Sequence, residues 1–143
     1  MERLERIMKE DITLSTLANV LYSAYIPADI SEDDETIVIS LEQPPIILKI
    51  QSNNYISLLT AVLVKENVSL EAGYALANQI NTTLYVGRAT VRESDNLCRG
   101  IAIDWLLSFE DGIIVIHLID VIRRLQKAVQ AMRHLDEDDI VLD

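Results

Sequence analysis

Cys98, His117, His134 and Asp104, together with a run of acids over 29–35, are the side chains of this 143-residue sequence best suited to nucleophilic, acid/base or metal chemistry. Cys98 is the single cysteine, so neither a CxxC pair nor an internal disulfide can form, and a free cysteine usually behaves as a small buried hydrophobe. The two histidines lie on one predicted helix, roughly 26 Å apart at about 1.5 Å rise per residue, too far to share a metal. The acidic run lacks the central glycine and the alternating oxygen ligands closing on glutamate that a calcium loop needs, which makes it a solvated loop. Asp104 falls on the polar side of its strand, with no partner acid or base in sight. Gly73, Gly87, Gly100 and Gly112 stand alone and complete no GxGxxG or GxxxxGK[ST] cradle; GxSxG, HExxH and zinc-spaced Cys/His patterns are also missing. The sequence therefore points to no catalytic residue, no cofactor and no metal ligand.

The elements that would carry these residues follow from apolar spacing. Leu4, Ile7 and Met8, then Leu14, Leu17, Ala18, Leu21, Tyr22 and Tyr25, predict one N-terminal helix, broken or re-capped at Asp11-Ile12-Thr13 and ending before Pro27. Strands are expected over 37–41, 46–51 and 55–64, with connections short enough for an antiparallel meander. In the third, Ile56, Leu58, Val62 and Val64 share one face while Leu59, Ala61 and Leu63 make the other apolar as well. The simplest expectation is an interior strand covered on both sides. The functional expectation is that Leu59, Ala61 and Leu63 meet another protein chain.

Ser69 predicts the cap of a short helix ending near Asn81. Strands over 84–92 and 97–109 come next, the second alternating Ile101, Ile103, Trp105, Leu107 and Phe109 against Ala102, Asp104 and Ser108. After Asp111-Gly112, Leu118, Val121, Ile122, Leu125, Val129 and Met132 trace a long amphipathic helix, with Arg123, Arg124, Lys127 and Arg133 on its polar side.

Composition narrows the partners. Twelve bases against 23 acids give −11 at pH 7, which disfavours nucleic acid and an anionic membrane surface. Five of the acids sit at 29–35 and five at 136–143, leaving 13 acids against 12 bases in the body. Both acidic segments read as solvated appendages, and 136–143 as an acidic tail on a single domain over 1–143. The first residues mix acids and bases without an apolar stretch, unlike a signal peptide, and charges interrupt the most apolar window, 101–122. With a lone cysteine, these features predict a cytoplasmic protein with no membrane span.

The order of elements, α-β-β-β-α-β-β-α, in an acidic chain of this length resembles the YbjN family and the fold it shares with type III secretion chaperones. Leu76-Ala77-Asn78-Gln79-Ile80-Asn81, at the end of the middle helix, is similar to that family's "a-N-x-hydrophobic-N" ending. The hairpin over 84–109 running into Asp111-Gly112 and the last helix also matches. The resemblance implies an α+β fold: an antiparallel sheet of about five to six strands packed with helices, without cofactor or catalytic machinery. It also implies a chaperone-like or regulatory protein that binds another protein, a homodimer being left open. A secretion chaperone holding a secreted effector is the first alternative, and an enzyme with an unrecognised site is the second.

Overall fold

The computed structural model describes residues 5–84, 87–136 and 141–143. In chain order its elements are β1 (Arg6–Ile7), a 3-10 helix (Lys9–Asp11), α1 (Leu14–Ser23), β2 (Ala28–Ile30), β3 (Ile37–Ile39), β4 (Ile46–Gln51), β5 (Tyr55–Leu63), α2 (Leu70–Thr83), β6 (Arg88–Ser94), β7 (Leu97–Ser108), β8 (Ile113–Ile114) and α3 (Val115–Leu135). Six strands make one antiparallel sheet in the order β2-β3-β4-β5-β7-β6, and β1 pairs with β8 in a separate ladder. The expected α+β class is what the structure shows. Two compact units divide these elements, residues 1–59 with 106–123 and residues 60–105 with 124–143.

In the first unit, β2, β3, β4 and the start of β5 form a meander. Isoleucine and leucine at alternate positions bury Ile37, Ile39, Ile46, Leu48, Ile56 and Leu58 on one face. Helix α1 adds Leu17, Ala18 and Leu21. It starts where Thr13 accepts the amide of Thr16 at 3.1 Å, so the N-terminal helix expected from the spacing begins only at Leu14. Leu4 lies outside the described residues. Upstream, Ile7 is buried as a strand residue, because β1 pairs Arg6 with Ile114 and Ile7 with Ile113. This clasp is tight at Gly112: its φ is +83°, and a Cβ there would stand 2.5 Å from the Ile7 carbonyl oxygen. The Arg6 guanidinium donates to the Asp111 carbonyl at 3.1 Å, and Lys9 reaches Glu110 at 3.4 Å.

Helix α1 ends in a Schellman motif. The amide of Ile26 donates to Leu21 O and that of Tyr25 to Tyr22 O, both at 2.9 Å, leaving Tyr25 left-handed at φ 62°. The stripe predicted through Tyr25 thus stops one turn early, and Ile26 is the buried residue instead. The acidic run also divides: Asp29 and Ile30 belong to β2, opposite Val38 and Ile37, because β3 takes them as an edge partner. The remainder is a turn in which Asp33 accepts the Ser31 hydroxyl at 2.5 Å and the Glu35 amide at 3.1 Å.

In the second unit, Ser69 caps α2 by accepting the Ala72 amide at 3.1 Å, as its residue type predicts. Helix α2 packs closely because Gly73 has no side chain; a Cβ there would meet Cys98 Sγ at 2.6 Å. Positions 85–86 of the strand expected over 84–92 lie outside the described residues, and β6 runs to Ser94. The C-terminal segment is stitched down where it is described. Val64 bridges Leu142, the Lys65 amide donates to Val141 O at 2.8 Å, and that of Asp143 donates to Leu63 O at 3.1 Å. The Asp136 carboxylate accepts from the Val141 and Leu142 amides, and Arg133 donates to Asp143 O at 2.9 Å. Val141 and Leu142 are buried, which a solvated tail would not achieve. The acids at 137–139 lie outside the described residues.

Candidate protein-binding face

Strand β5 is interior in the sheet, yet only one of its faces is packed within the chain. Ile56, Leu58, Thr60 and Val62 are buried, whereas Leu59 is half-buried, Ala61 is exposed and Leu63 is 72% exposed. This corrects the expectation of a strand covered on both sides. The physical reason is visible in each unit. In the second, α2 packs on the side of Val91 and Cys98, the residues nearest Gly73. Strand alternation puts Arg88, Thr90 and Arg92 on the other side, and all three are exposed. The Arg92 stem lies beside Gly100, and a Cβ on Gly100 would come within 3.3 Å of Val62 O.

In the first unit the same alternation builds a row that the sequence reading missed. Register places Asp29 opposite Val38, Val38 opposite Ile47, and Ile47 opposite Leu59. Val38, Ile47 and Leu59 are all only half-buried. Consecutive apolar residues in Ile37-Val38-Ile39 and Ile46-Ile47-Leu48 were the available signal, since a one-sided strand needs only every second residue apolar.

The residues singled out for chemistry fall apart spatially. Asp104 is held by Arg88, Nη2 to Oδ2 at 3.1 Å on paired strand positions, beside a guanidinium that does not give up its proton. Cys98 is buried, with Sγ 3.7 Å from the Gly100 carbonyl; burial pushes its thiol pKa up, the opposite of an activated nucleophile. His134 is exposed near the end of α3. His117 borders a half-open cavity of about 200 Å³ with Arg6, Ser108, Asp111 and Ile113, and Asp104 is not among its walls. Among the described residues no three His, Cys, Asp or Glu side chains gather as a metal site. Among the same residues no helix is long and apolar enough to cross a membrane.

Asn81, near the end of α2, has a definite structural use. Asn81 Oδ1 accepts the Ala89 amide at 2.7 Å and its Nδ2 donates to the Ala89 carbonyl at 3.0 Å. One side chain thereby satisfies an outward-facing backbone pair of β6, the last strand of the sheet.

No family model matches the chain, and neither does any curated protein. Among solved structures the similarity is clear. YbjN from E. coli, described as a candidate transcription regulator, superposes with a TM-score of 0.76 over 92% of this chain and 96% of that one, at 14% identity. The fold is YbjN-like. An uncharacterised protein from Methanothermobacter thermautotrophicus shares it at a TM-score of 0.65, with 16% identity, covering 89% of this chain and 99% of that one. At these identities the YbjN likeness concerns the fold alone.

Proposed function

We propose that the chain is a non-enzymatic, cytoplasmic protein-binding domain over 1–143, of chaperone-like or regulatory type. It docks its partner on the open face of β5 through Leu59, Ala61 and Leu63. The observation that carries this reading is Leu63, 72% exposed on an interior strand whose neighbour Val62 is buried. A single exposed leucine is ordinary; Leu63 gains weight because Leu59 and Ala61 precede it on the same strand face, and contiguous apolar surface is what marks a contact site. The non-enzymatic part is supported by the ion pair that occupies Asp104 and by the burial of Cys98. The YbjN description as a candidate transcription regulator is compatible with action by protein contact.

Tagged wild type, Leu63→Glu and Ile116→Glu should be used for affinity capture from the source cells. Both changes are at exposed positions, so both proteins should unfold within about 0.5 kcal/mol of wild type. The expected result is a stoichiometric partner retained by wild type and Ile116→Glu and lost from Leu63→Glu. An unchanged set of captured proteins across all three would remove β5 as the docking site.

A further inference from the structure

Two tyrosines at the end of α1 are left uncovered. Tyr25 is 92% exposed and Tyr22 is 51% exposed. Tyr25 fills the left-handed position that closes the helix, where glycine carries no steric penalty, and its ring gains no burial in return. Tyr22 is fixed in orientation: its hydroxyl donates to Asp29 Oδ1 at 2.5 Å, and that bond raises its pKa. Asp29 heads the row that continues through Val38 and Ile47 to Leu59. Beyond it, Glu32, Asp34 and Glu35 are exposed, and Lys49 is the cation whose charge reaches Asp33.

We infer that Tyr22, Tyr25 and Asp29 receive an arginine of the partner segment, whose apolar residues then follow the row toward Leu59. This names the partner chemistry of the face proposed above and rests on that reading. Aromatic faces attract cations, and a planar guanidinium can stack on tyrosine while pairing with a carboxylate. The neighbouring acids select the same sign of charge, as does the −11 of the whole chain. Three strand spacings separate Asp29 from Leu59, about 14 Å, so the arginine and the apolar anchor should be about four to five residues apart in an extended segment. A second copy of this chain is a poorer occupant, because its acids would meet these acids.

The test is fluorescence anisotropy of labelled peptides against the full chain at low and physiological salt. The probe carries paired arginines, a Ser/Gly spacer of about four residues and paired leucines; its controls replace the arginines by serine or by glutamate, or the leucines by serine. The arginine-leucine probe should bind tightest. Tyr25→Gly keeps the left-handed turn and should weaken it about two- to fivefold. Glu32→Gln with Asp34→Asn should weaken it more than Glu66→Gln with Glu71→Gln, which removes the same charge elsewhere. Full binding by Tyr25→Gly, or equal loss in the two charge-neutralised pairs, would show that net charge alone holds the peptide and would overturn the inference. Binding of the serine-leucine probe as tight as the arginine one would overturn the arginine site while leaving the apolar face standing. No binding of any leucine probe would overturn both.

Discussion

Glu110 shows how much a single exposed side chain does here. It accepts Asn54 Nδ2 at 3.0 Å and Lys9 Nζ at 3.4 Å, linking the β4–β5 turn and the N-terminal segment to the turn before β8. The Asn54 hydrogen bond chiefly, then the Lys9 charge, hold its carboxyl pKa below the usual glutamate range. A carboxylate with a depressed folded-state pKa stabilises the fold above its unfolded pKa. That contribution is lost as pH falls through the folded value, so these tethers should weaken only at acid pH, below the ordinary glutamate range. A carboxyl NMR titration should place the Glu110 midpoint below the ordinary glutamate range. Asn54→Ala should move it upward, and an unmoved midpoint would mean that the hydrogen bond contributes nothing.

At the scale of elements, the α2–β7 contact is set by what is missing from Gly73. Alanine would improve helix propensity by about 0.8–1 kcal/mol, but its Cβ would stand 2.6 Å from Cys98 Sγ and 2.8 Å from Cys98 Cβ. Overpacking of this kind costs about 1–3 kcal/mol, so Gly73→Ala should lower the urea midpoint. Cys98→Ala in the same chain should recover only part of the loss, because the Cβ conflict persists. The contact also explains which elements could be read from sequence. Ser69 with Leu70, Gly73, Tyr74, Ala77 and Ile80 carries a cap and a stripe, both local signals, and α2 begins where they put it, although Leu76 is buried in place of Tyr74, which is 49% exposed. Strands β4 and β5 likewise obey their own alternation, and so do the residues of the open face. Spacing puts Ile7 on a helix because its true partner, Ile113, is remote in sequence. It puts Tyr25 on the stripe because spacing alone does not show that the helix closes into a left-handed residue. The row Val38–Ile47–Leu59 needed the register, which no single segment contains.

For the whole molecule, the balance of charge is less simple than two appendages on a neutral body. Asp29 is a strand residue bonded to Tyr22, Asp33 holds a turn, and Asp136 ties down Val141 and Leu142. Part of the acidity is therefore structural, and the exposed remainder favours cationic partners over nucleic acid. The β1–β8 clasp bears on time rather than strength. The Arg6 contact with Asp111 spans 105 positions of the 143, so a loop of most of the chain must be closed before two residue pairs can form. Such a contact is expected to form late in folding and to open early. Gly112→Ala, which pushes a methyl against Ile7 O, should therefore steepen neither arm of the chevron. It should accelerate unfolding and leave the refolding rate close to wild type. The amino-terminal strand would then act as the molecule's latch, fastened after the rest is built and released before anything else comes apart.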